Sequence, residues 1–503
     1  MDAFSNLMMG FSVALLPQHL MLAFVGSLLG TLIGVLPGIG PAAGTAMLIP
    51  LTFSMGPTGA IILLTALFYG TQYGGTITSV LLNVPGEAAS AITCLDGYAM
   101  AKQGRAGVAL SMAAIGSFIG GTFAALCLVL AAGPLTRLAL QFGPVEFFTL
   151  VLLGISLLMG LAGKSMIKAL MMGVFGLLLA MIGMDPVRGL PRFTFGTMEL
   201  MDGISFVPVI MGLFGVGEIL LNAEKPFAQM VLAKMSTLIP NRQEMRDSLG
   251  PVVRGSLIGT LLGLVPGMTN SASSFLSYIA EKKSSNYPER FGTGMLAGVV
   301  GPETANNAHA NGALIPLFTL GIPASPTVAI IMGAFMMHGL IPGPLLFKDH
   351  PGIAWGVIAS FYIGNVMLVI LNLPLIGIWV KLLKIPYGIL SAIILSFTVL
   401  GAYSINNSVF DVLVMTLFGV IGYLLRKMDF PLAPAVLTLI LGPMMESSLR
   451  TSLEMSQGSF GIFLESPVAV VFLVLTAVIL IAPSFSFFRK KKQSLAAGEE
   501  DLL

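Results

Sequence analysis

The polar residues that could do chemistry in this chain lie inside apolar sequence, and the densest group is GPETANNAHANG at 301–312. Glu303 and Asn307 are four residues apart, so a helix would place them on one face. Ionisable residues at membrane depth are costly and usually functional, which makes Glu303 a candidate to bind a cation or a proton. The alternative is structural: a helix that begins at Pro302 would place Glu303 in its first turn, where a carboxylate offsets the helix dipole.

Four proline-containing interruptions of apolar runs form the second feature. They are LPGIGPAAGT at 36–45, VPGMTNSASS at 265–274, and the stretches around Pro85 and Pro323. Proline removes a backbone donor, and glycine permits a positive φ, as we expect at Gly38 and Gly40. The helices should restart with Pro41 in the first turn of one, and with Asn270 or Ser271 capping another. Their free N–H groups would suit a carboxylate, and the unpaired carbonyls before each break would suit Na⁺.

Polar side chains beside these breaks are the natural ligands of such a site. They are Thr45, Thr76, Asn83, Asn270, Ser271, Asn306, Asn307, Asn311 and Ser325. Thr76 and Asn311 join Glu303 as candidates for the ion, and the others are candidates for an anionic substrate. Two alternatives stay open: each side chain could form a helix–helix hydrogen bond instead, and each break could be a kink in a packing helix. Since no Lys or Arg lies in the broken motifs, helix dipoles, backbone amides and bound cations would have to hold an anion's charge.

The composition sets the surroundings of these residues. Of 503 residues, 56% are hydrophobic and only 10% are charged, and the mean hydropathy is +0.93. Soluble domains carry about 25% charged residues, so these values indicate a polytopic membrane protein. Apolar runs of about 20 residues predict an all-α protein with about 11–14 membrane helices in the lipid bilayer. With 25 basic against 23 acidic residues, the chain offers no basic face to a nucleic acid.

An internal repeat organises the breaks. GSLLGTLIGVLPG at 26–38 and GSLIGTLLGLVPG at 255–267 are identical at nine of thirteen positions. The Gly-x-x-x-Gly spacing in both copies packs helices closely, but only a duplication explains the Pro-Gly pair that ends both. We therefore predict a first membrane half at 1–221, a cytoplasmic connecting segment at 222–254, a second membrane half at 255–488 and a cytoplasmic tail at 489–503.

Basic residues predict the orientation of the two halves. Arg254 and Lys282 flank the second copy, whereas residues 1–101 contain no Lys or Arg, so the copies should enter from opposite faces. Each copy is interpreted as a re-entrant hairpin with two arms of about 16 Å, too short for a core of about 30 Å. Two such hairpins would make an inverted repeat, which is a plan of secondary transporters.

Three stretches resemble the large membrane subunit of tripartite tricarboxylate transporters, the TctA family. They are YGTQYGGTITSVLLNVPGEA at 69–88, PETANNAHANGALIPLFTLGIPAS at 302–325 and ESSLRTSLEMSQGSF at 446–460. The family's broken-helix motifs carry over onto Gly38, Gly40, Asn83, Pro85, Gly86, Pro266, Gly267, Asn306, Asn307 and Pro323. The resemblance covers nearly the whole chain. It implies uptake of small carboxylates across the bacterial inner membrane by symport with Na⁺ or H⁺, without a cofactor. It also implies two partners, a periplasmic substrate-binding protein and a smaller membrane subunit.

Two other functions are weighed against transport. An intramembrane enzyme would need a reactive constellation, and the sequence has no H-E-x-x-H motif. GLAGKS at 160–165 is similar to a phosphate-binding loop, but Leu158 stands where that loop needs glycine. A channel would favour rings of charged side chains or a repeated filter. An enzyme is therefore not expected, and a channel-like or enzymatic protein without gradient coupling is the alternative.

Overall fold

A computed structural model of the chain describes residues 3–36, 38–161, 165–185, 189–224, 240–382 and 387–481. Within these ranges the chain is almost entirely helical, with one short antiparallel ladder that pairs Gly183 with Arg192. Residues 225–239 of the predicted connecting segment and all of the predicted tail lie outside the described residues. The protein is an all-α polytopic membrane protein, as the composition predicts.

The first part of the chain runs from α1 to α10. Its helices are α1 (Ala3–Ala14), α2 (Pro17–Val35), α3 (Gly40–Thr52), α4 (Pro57–Leu82), α5 (Thr93–Lys102), α6 (Ala106–Ala139), α7 (Pro144–Leu161) and α8 (Met166–Ala180), with a 3₁₀ turn at Ala88–Ser90. Then follow β1 (Gly183–Met184), β2 (Pro191–Arg192), a 3₁₀ turn at Met198–Leu200, α9 (Phe206–Ile210), a π-helical segment at Met211–Val216 and α10 (Gly217–Ala223).

The second part of the chain repeats the plan and adds helices at its end. Its first helices are α11 (Arg242–Gly263), α12 (Asn270–Ser284), a 3₁₀ turn at Pro288–Arg290, α13 (Ala297–Gly312), α14 (Leu314–Leu320), α15 (Pro326–Met337) and α16 (Pro344–Asp349). The remaining helices are α17 (Pro351–Asn372), α18 (Ile376–Leu382), α19 (Tyr387–Asn406), α20 (Val409–Lys427), α21 (Ala433–Met455), α22 (Ile462–Glu465) and α23 (Pro467–Ile481).

Two glycine seams hold the repeated helices together. In the first, Gly26, Gly30 and Gly34 of α2 pack on the carbonyl oxygens of Leu63, Leu67 and Thr71 of α4. In the second, Gly255, Gly259 and Gly263 of α11 pack on the carbonyl oxygens of Gly301, Ala305 and His309 of α13. A Cβ on any of the six glycines would lie 2.2–2.7 Å from the facing oxygen. Only glycine therefore lets these backbones approach, and the predicted packing role of the two stripes is confirmed.

The two hairpins have unequal arms, which corrects the expectation of two arms of about 16 Å. The first arms, α2 and α11, have 19 and 22 residues, whereas α3 and α12 have 13 and 15. At 1.5 Å per residue, α2 is about 28 Å long and α11 about 33 Å. The first arms are longer because each begins well before the first repeated glycine. In α11 the start is a capping box, in which Asn241 accepts from the amide of Glu244.

Six described helices are long and apolar enough to cross a membrane, and six shorter apolar helices accompany them. Large apolar side chains such as Leu130, Leu261 and Leu417 are more than half exposed on the outer faces, as lipid-facing residues are. By contrast, α4 is buried along its whole apolar window, and α13 is buried from Gly298 to Gly312. Each of these two helices carries six buried polar side chains.

Candidate functional site

A cavity of about 440 Å³ lies where the interrupted helices restart. Five segments line it: residues 39–43 at the start of α3, 87–89 at the 3₁₀ turn, 267–271 at the start of α12, 324–327 at the start of α15 and 430–433 at the start of α21. Each of these segments begins a helical turn whose first N–H groups lack an intrahelical acceptor. The cavity therefore collects several positive helix ends, as the proline interruptions predict.

The two breaks of the second half are joined to each other. The Gly267 amide donates to the carbonyl of Ala324 at 3.0 Å. Thr269, and not Asn270 or Ser271 as expected, caps α12 by accepting from the amide of Ala272 at 3.1 Å. Asn270 is already the first helical residue, so its side chain is free for another partner. Ser325 caps α15 by accepting from the amide of Val328, and Pro326 stands in its first turn.

The break of the first half is fastened differently. Gly38 and Gly40 adopt φ values of +96° and +66°, the left-handed region that glycine enters without strain. Pro41 lies in the first turn of α3 as predicted, and no side chain caps this helix. The carbonyl of Gly38 accepts a hydrogen bond from Asn222 Nδ2 at 2.6 Å. The tip of the first hairpin is thus held by a side chain of α10, whereas the tip of the second hairpin is held by a backbone hydrogen bond.

Glu303 is fully buried between α13, α4 and α5. Its carboxylate accepts from Thr76 Oγ1 at 2.6 Å and from Thr93 Oγ1 at 2.5 Å. Because α13 begins at Ala297, Pro302 and Glu303 lie in its interior, and the expected first-turn position is wrong. The alternative in which Glu303 offsets a helix dipole is therefore excluded, since that effect is confined to the first turn.

A second buried carboxylate, Glu87, lies at the cavity wall. Asn306 Nδ2 donates to it at 2.7 Å. With the Gln72 amide oriented so that its nitrogen faces the carboxylate, Gln72 also donates to both oxygens of Glu87, at 2.6 and 2.7 Å. Among the described residues, no Lys, Arg or His forms an ion pair with Glu87 or with Glu303. Hydrogen bonds from neutral side chains alone surround both carboxylates.

Asn270 connects the cavity to this network. Its Nδ2 donates to the backbone oxygen and the side-chain oxygen of Asn306, both at 3.2 Å. Asn306 in turn donates to Glu87. Two hydrogen bonds therefore connect Asn270, at the cavity, to the buried carboxylate of Glu87. Hydrogen bonds in such a buried network polarise one another, so a charge change at one end affects the other.

The cavity lining also includes an ion pair. Arg426, in the last turn of α20, pairs with Glu218 of α10, and both side chains line the cavity. The guanidinium lies 5.6 Å from the ring centroid of Phe214, which also lines it. The expectation that helix dipoles and bound cations alone must hold an anion is therefore incomplete, because one arginine stands at the cavity.

The family of tripartite tricarboxylate transporter TctA proteins matches residues 20–437. The chain belongs to the TctA family. It is therefore a component of a tripartite tricarboxylate transporter, a membrane assembly with partner subunits, and not an enzyme.

Two relatives of this TctA protein come from Agrobacterium vitis. One, an uncharacterized 52.8 kDa protein in the TAR-I ttuC' 3'region, is 46% identical over 501 residues, which cover 99% of this chain and 100% of the relative. The other, an uncharacterized protein in the TAR-II ttuC' 3'region, is 46% identical over 242 residues, 48% of this chain and 100% of that relative. No solved structure matches the chain.

The predicted substrate-binding residues of this TctA protein fall into two groups. Those at the cavity wall are Gly40, Gly267, Asn270, Ser271 and Ser325. Three more lie directly behind the wall: Pro266 and Pro323 precede lining segments in the chain, and Asn306 bonds to both Asn270 and Glu87.

The remaining predicted residues contact other elements. Gly38 bonds to Asn222, Thr45 donates to the Pro41 carbonyl of its own helix, Gly86 packs against Gly34, and Asn307 donates to Ser117 of α6. Asn83 and Pro85 are exposed beyond the end of α4. Of the ion candidates, Thr76 contacts Glu303, whereas Asn311 donates to the carbonyl of Asn307.

Sequence reasoning missed five polar residues of this TctA site: Gln72, Glu87, Thr93, Glu218 and Arg426. Two of them carried a local signal, since Glu87 directly follows the break at Pro85 and Gln72 is the one amide side chain in α4. The sequence gives no sign that Arg426 belongs to the site, because a basic residue at the end of an apolar helix is ordinarily taken to indicate the cytoplasmic end of that helix.

Proposed function

We propose that this TctA chain is the substrate-translocating subunit of a secondary transporter that imports small di- or tricarboxylates. A Na⁺ or H⁺ gradient drives the uptake, a periplasmic binding protein delivers the acid, and a smaller membrane subunit completes the complex. The assembly resides in the bacterial inner membrane with the C-terminus of this chain in the cytoplasm. Membership of the family supports the class of function, and the basic residues near the predicted cytoplasmic ends support the orientation.

One observation carries this proposal: four interrupted segments start around a single cavity of about 440 Å³. Pockets for small molecules have volumes of about 300–1,000 Å³. The N–H groups at the starts of α3, α12 and α15 provide donors and positive dipole ends for carboxylate oxygens. A small organic acid is thus matched by the cavity both in size and in charge.

The coupling ion binds at the buried carboxylates Glu303 and Glu87. Both are held only by neutral donors among the described residues, and a buried charge without a counter-charge is costly. A proton or a Na⁺ ion would remove that cost. Thr76, Thr93 and Asn306 then supply further oxygen ligands of the kind that hard cations prefer.

The two halves, 1–221 and 255–488, are related as an inverted repeat. Gly26, Gly30 and Gly34 contact α4 at rising positions, so α2 and α4 run in the same direction, and the second seam does the same for α11 and α13. Where α4 and α13 meet, Gln72 contacts Asn306 and Thr76 contacts Glu303. Positions rise along one helix while they fall along the other, so these equivalent helices pass in opposite directions. This crossing supports the inversion predicted from the basic residues.

Gradient-driven accumulation tests the function. The complete complex is reconstituted in vesicles, and uptake of labelled citrate, succinate and acetate is measured with an inward Na⁺ gradient, an inward proton gradient or neither. We expect a di- or tricarboxylate to accumulate above its external concentration only with a gradient. Equilibration without accumulation would establish a channel, and chemical conversion of the acid would establish an enzyme.

Glu303→Gln tests the ion site in the same vesicles. The amide can accept from one threonine hydroxyl and donate to the other, but it cannot carry the charge, so accumulation should fall at least about tenfold. The matched control is Glu289→Gln, on an exposed turn, which should leave uptake unchanged. Full gradient-driven accumulation by Glu303→Gln would place the coupling ion elsewhere.

A further inference from the structure

The last turn of α20 presents two neighbouring cations in different settings. Lys427 is 45% exposed and pairs with Glu224, which is 48% exposed. Arg426 turns inward, is 24% exposed, and packs its guanidinium against the ring of Phe214. Of the described residues that line the cavity, Arg426 alone has a cationic side chain. An arginine is thus placed where the positive helix ends converge.

Glu218, the partner of Arg426, belongs to a chain of contacts that ends at the first break. Asn222, one turn farther along α10, donates to Glu218 Oε1 at 3.4 Å and to the Gly38 carbonyl at 2.6 Å. The order of contacts is therefore Arg426, Glu218, Asn222 and Gly38. Asn222 thus links Glu218, at the cavity, to the tip of the first hairpin. A movement of the Glu218 carboxylate would alter the hydrogen bond to Asn222, and with it the hydrogen bond from Asn222 to Gly38.

We propose that Arg426 binds a carboxylate of the transported acid and that Glu218 occupies Arg426 when the cavity is empty. A guanidinium binds carboxylates through two parallel hydrogen bonds. A carboxylate of the substrate can therefore take the place of the Glu218 carboxylate on Arg426 and form the same hydrogen bonds. Glu218 acts as an internal competitor that spares Arg426 an unpaired charge in the empty state. The proposal rests on the proposed function, which it deepens by naming the cationic residue of the substrate site.

The same geometry indicates the class of substrate. Arg426 and the starts of α3, α12 and α15 all line the cavity. An acid with two or more carboxylates can contact the arginine with one group and a helix start with another. An acid with a single carboxylate can satisfy only one of the two, so it should bind more weakly.

Opposite effects of the two partners test the proposal. Initial uptake by the reconstituted complex is measured over a range of citrate and succinate concentrations for the wild type, Arg426→Gln, Glu218→Gln and the double variant. Arg426→Gln should raise the half-saturating concentration at least tenfold, because the ligand's partner is lost. Glu218→Gln should lower it several-fold, because the competitor is lost. A purely structural ion pair predicts changes in the same direction, and restoration in the double variant; either result overturns the proposal.

The neighbouring pair supplies the control, and binding supplies a second readout. Lys427→Gln and Glu224→Gln should leave half-saturation unchanged. Citrate should raise the melting temperature of the purified wild-type chain but not that of Arg426→Gln. If Arg426→Gln does not fold, the sign of the Glu218→Gln effect decides. Citrate binding that depends on Arg426 but is not followed by uptake would contradict the proposed function alone. Uptake with an unchanged half-saturating concentration in both variants would contradict this inference alone. A wild type that neither binds nor transports citrate would contradict both.

Discussion

The two interrupted hairpins of this TctA protein share their packing but differ at their tips. Both first arms approach their partner helix through three glycines on three carbonyl oxygens. At the tips, Gly267 of the second hairpin pairs with the backbone of Ala324, and Thr269 caps the following helix. The first tip has no capping side chain, and Asn222 holds Gly38.

This difference shows which parts of the two similar segments can differ. A seam of backbone against backbone tolerates no added side chain, so both copies keep it. A tip needs only some partner for its free N–H and C=O groups, and the two copies use different ones. The second tip is fixed by main-chain atoms, whereas the first is held by a side chain that also contacts Glu218. We therefore expect the first hairpin to respond to the contents of the cavity and the second to stay fixed.

The largest effect should come from the seams. Gly30→Ala places a Cβ 2.4 Å from the Leu67 oxygen, and Gly259→Ala places one 2.2 Å from the Ala305 oxygen. Since backbone cannot yield to either, each variant should lose about 3 kcal/mol or more and show little folded protein by size-exclusion chromatography. Gly133→Ala is the control, because its Cβ would meet nothing within 4 Å. If only one of the two seam variants failed to give folded protein, the two seams would not contribute equally to stability.

The seams and breaks could be predicted because their signal is local. Glycine spacing and the Pro-Gly pairs are read within about a dozen residues, and they place the restarting helices correctly. The carboxylate network could not be predicted, because Thr76 and Glu303 meet across 227 residues of sequence. The predicted helix start at Pro302 was wrong for a physical reason. In soluble proteins proline favours the first turn of a helix, but membrane helices tolerate it in their interior when neighbouring groups satisfy the backbone carbonyl that it leaves without a donor.

The helix ends that follow the seams should give the next effect. Gly321 ends α14 with a φ of +73°, and its added Cβ would lie 2.7 Å from the carbonyl oxygen of Pro342. Gly321→Ala should therefore cost about 2 kcal/mol, from left-handed strain and from this contact. The measurement is the shift of the midpoint of thermal unfolding in detergent. Gly352→Ala, with open space around its Cβ, is the control.

Releasing the first tip sharpens the comparison of the breaks. Asn222→Ala removes the hydrogen bond to Gly38, worth about 1 kcal/mol, so amide exchange at 38–43 should rise about fivefold. Exchange at 267–272 should not change, because Gly267 pairs with the Ala324 carbonyl and Thr269 caps the helix that follows. Hydrogen exchange read by mass spectrometry measures both segments at once, with Asn406→Ala, which loses a remote bond to Asp411, as control. Equal rises at both tips would show that the two hairpins move together.

Asn83 allows the finest distinction, between a ligand and a helix end. It occupies the position before the second break that Gly321 occupies in the other half, with a φ of +56°, and it is exposed. Asn83→Gly removes the amide but suits this backbone, so unfolding should change by less than about 0.5 kcal/mol, whereas Asn83→Ala should cost about 1 kcal/mol. Uptake by the complex decides between the roles. Wild-type transport by Asn83→Gly would make Asn83 a conformational residue, and lost transport by a stable Asn83→Gly would restore it as the ligand that the sequence predicts.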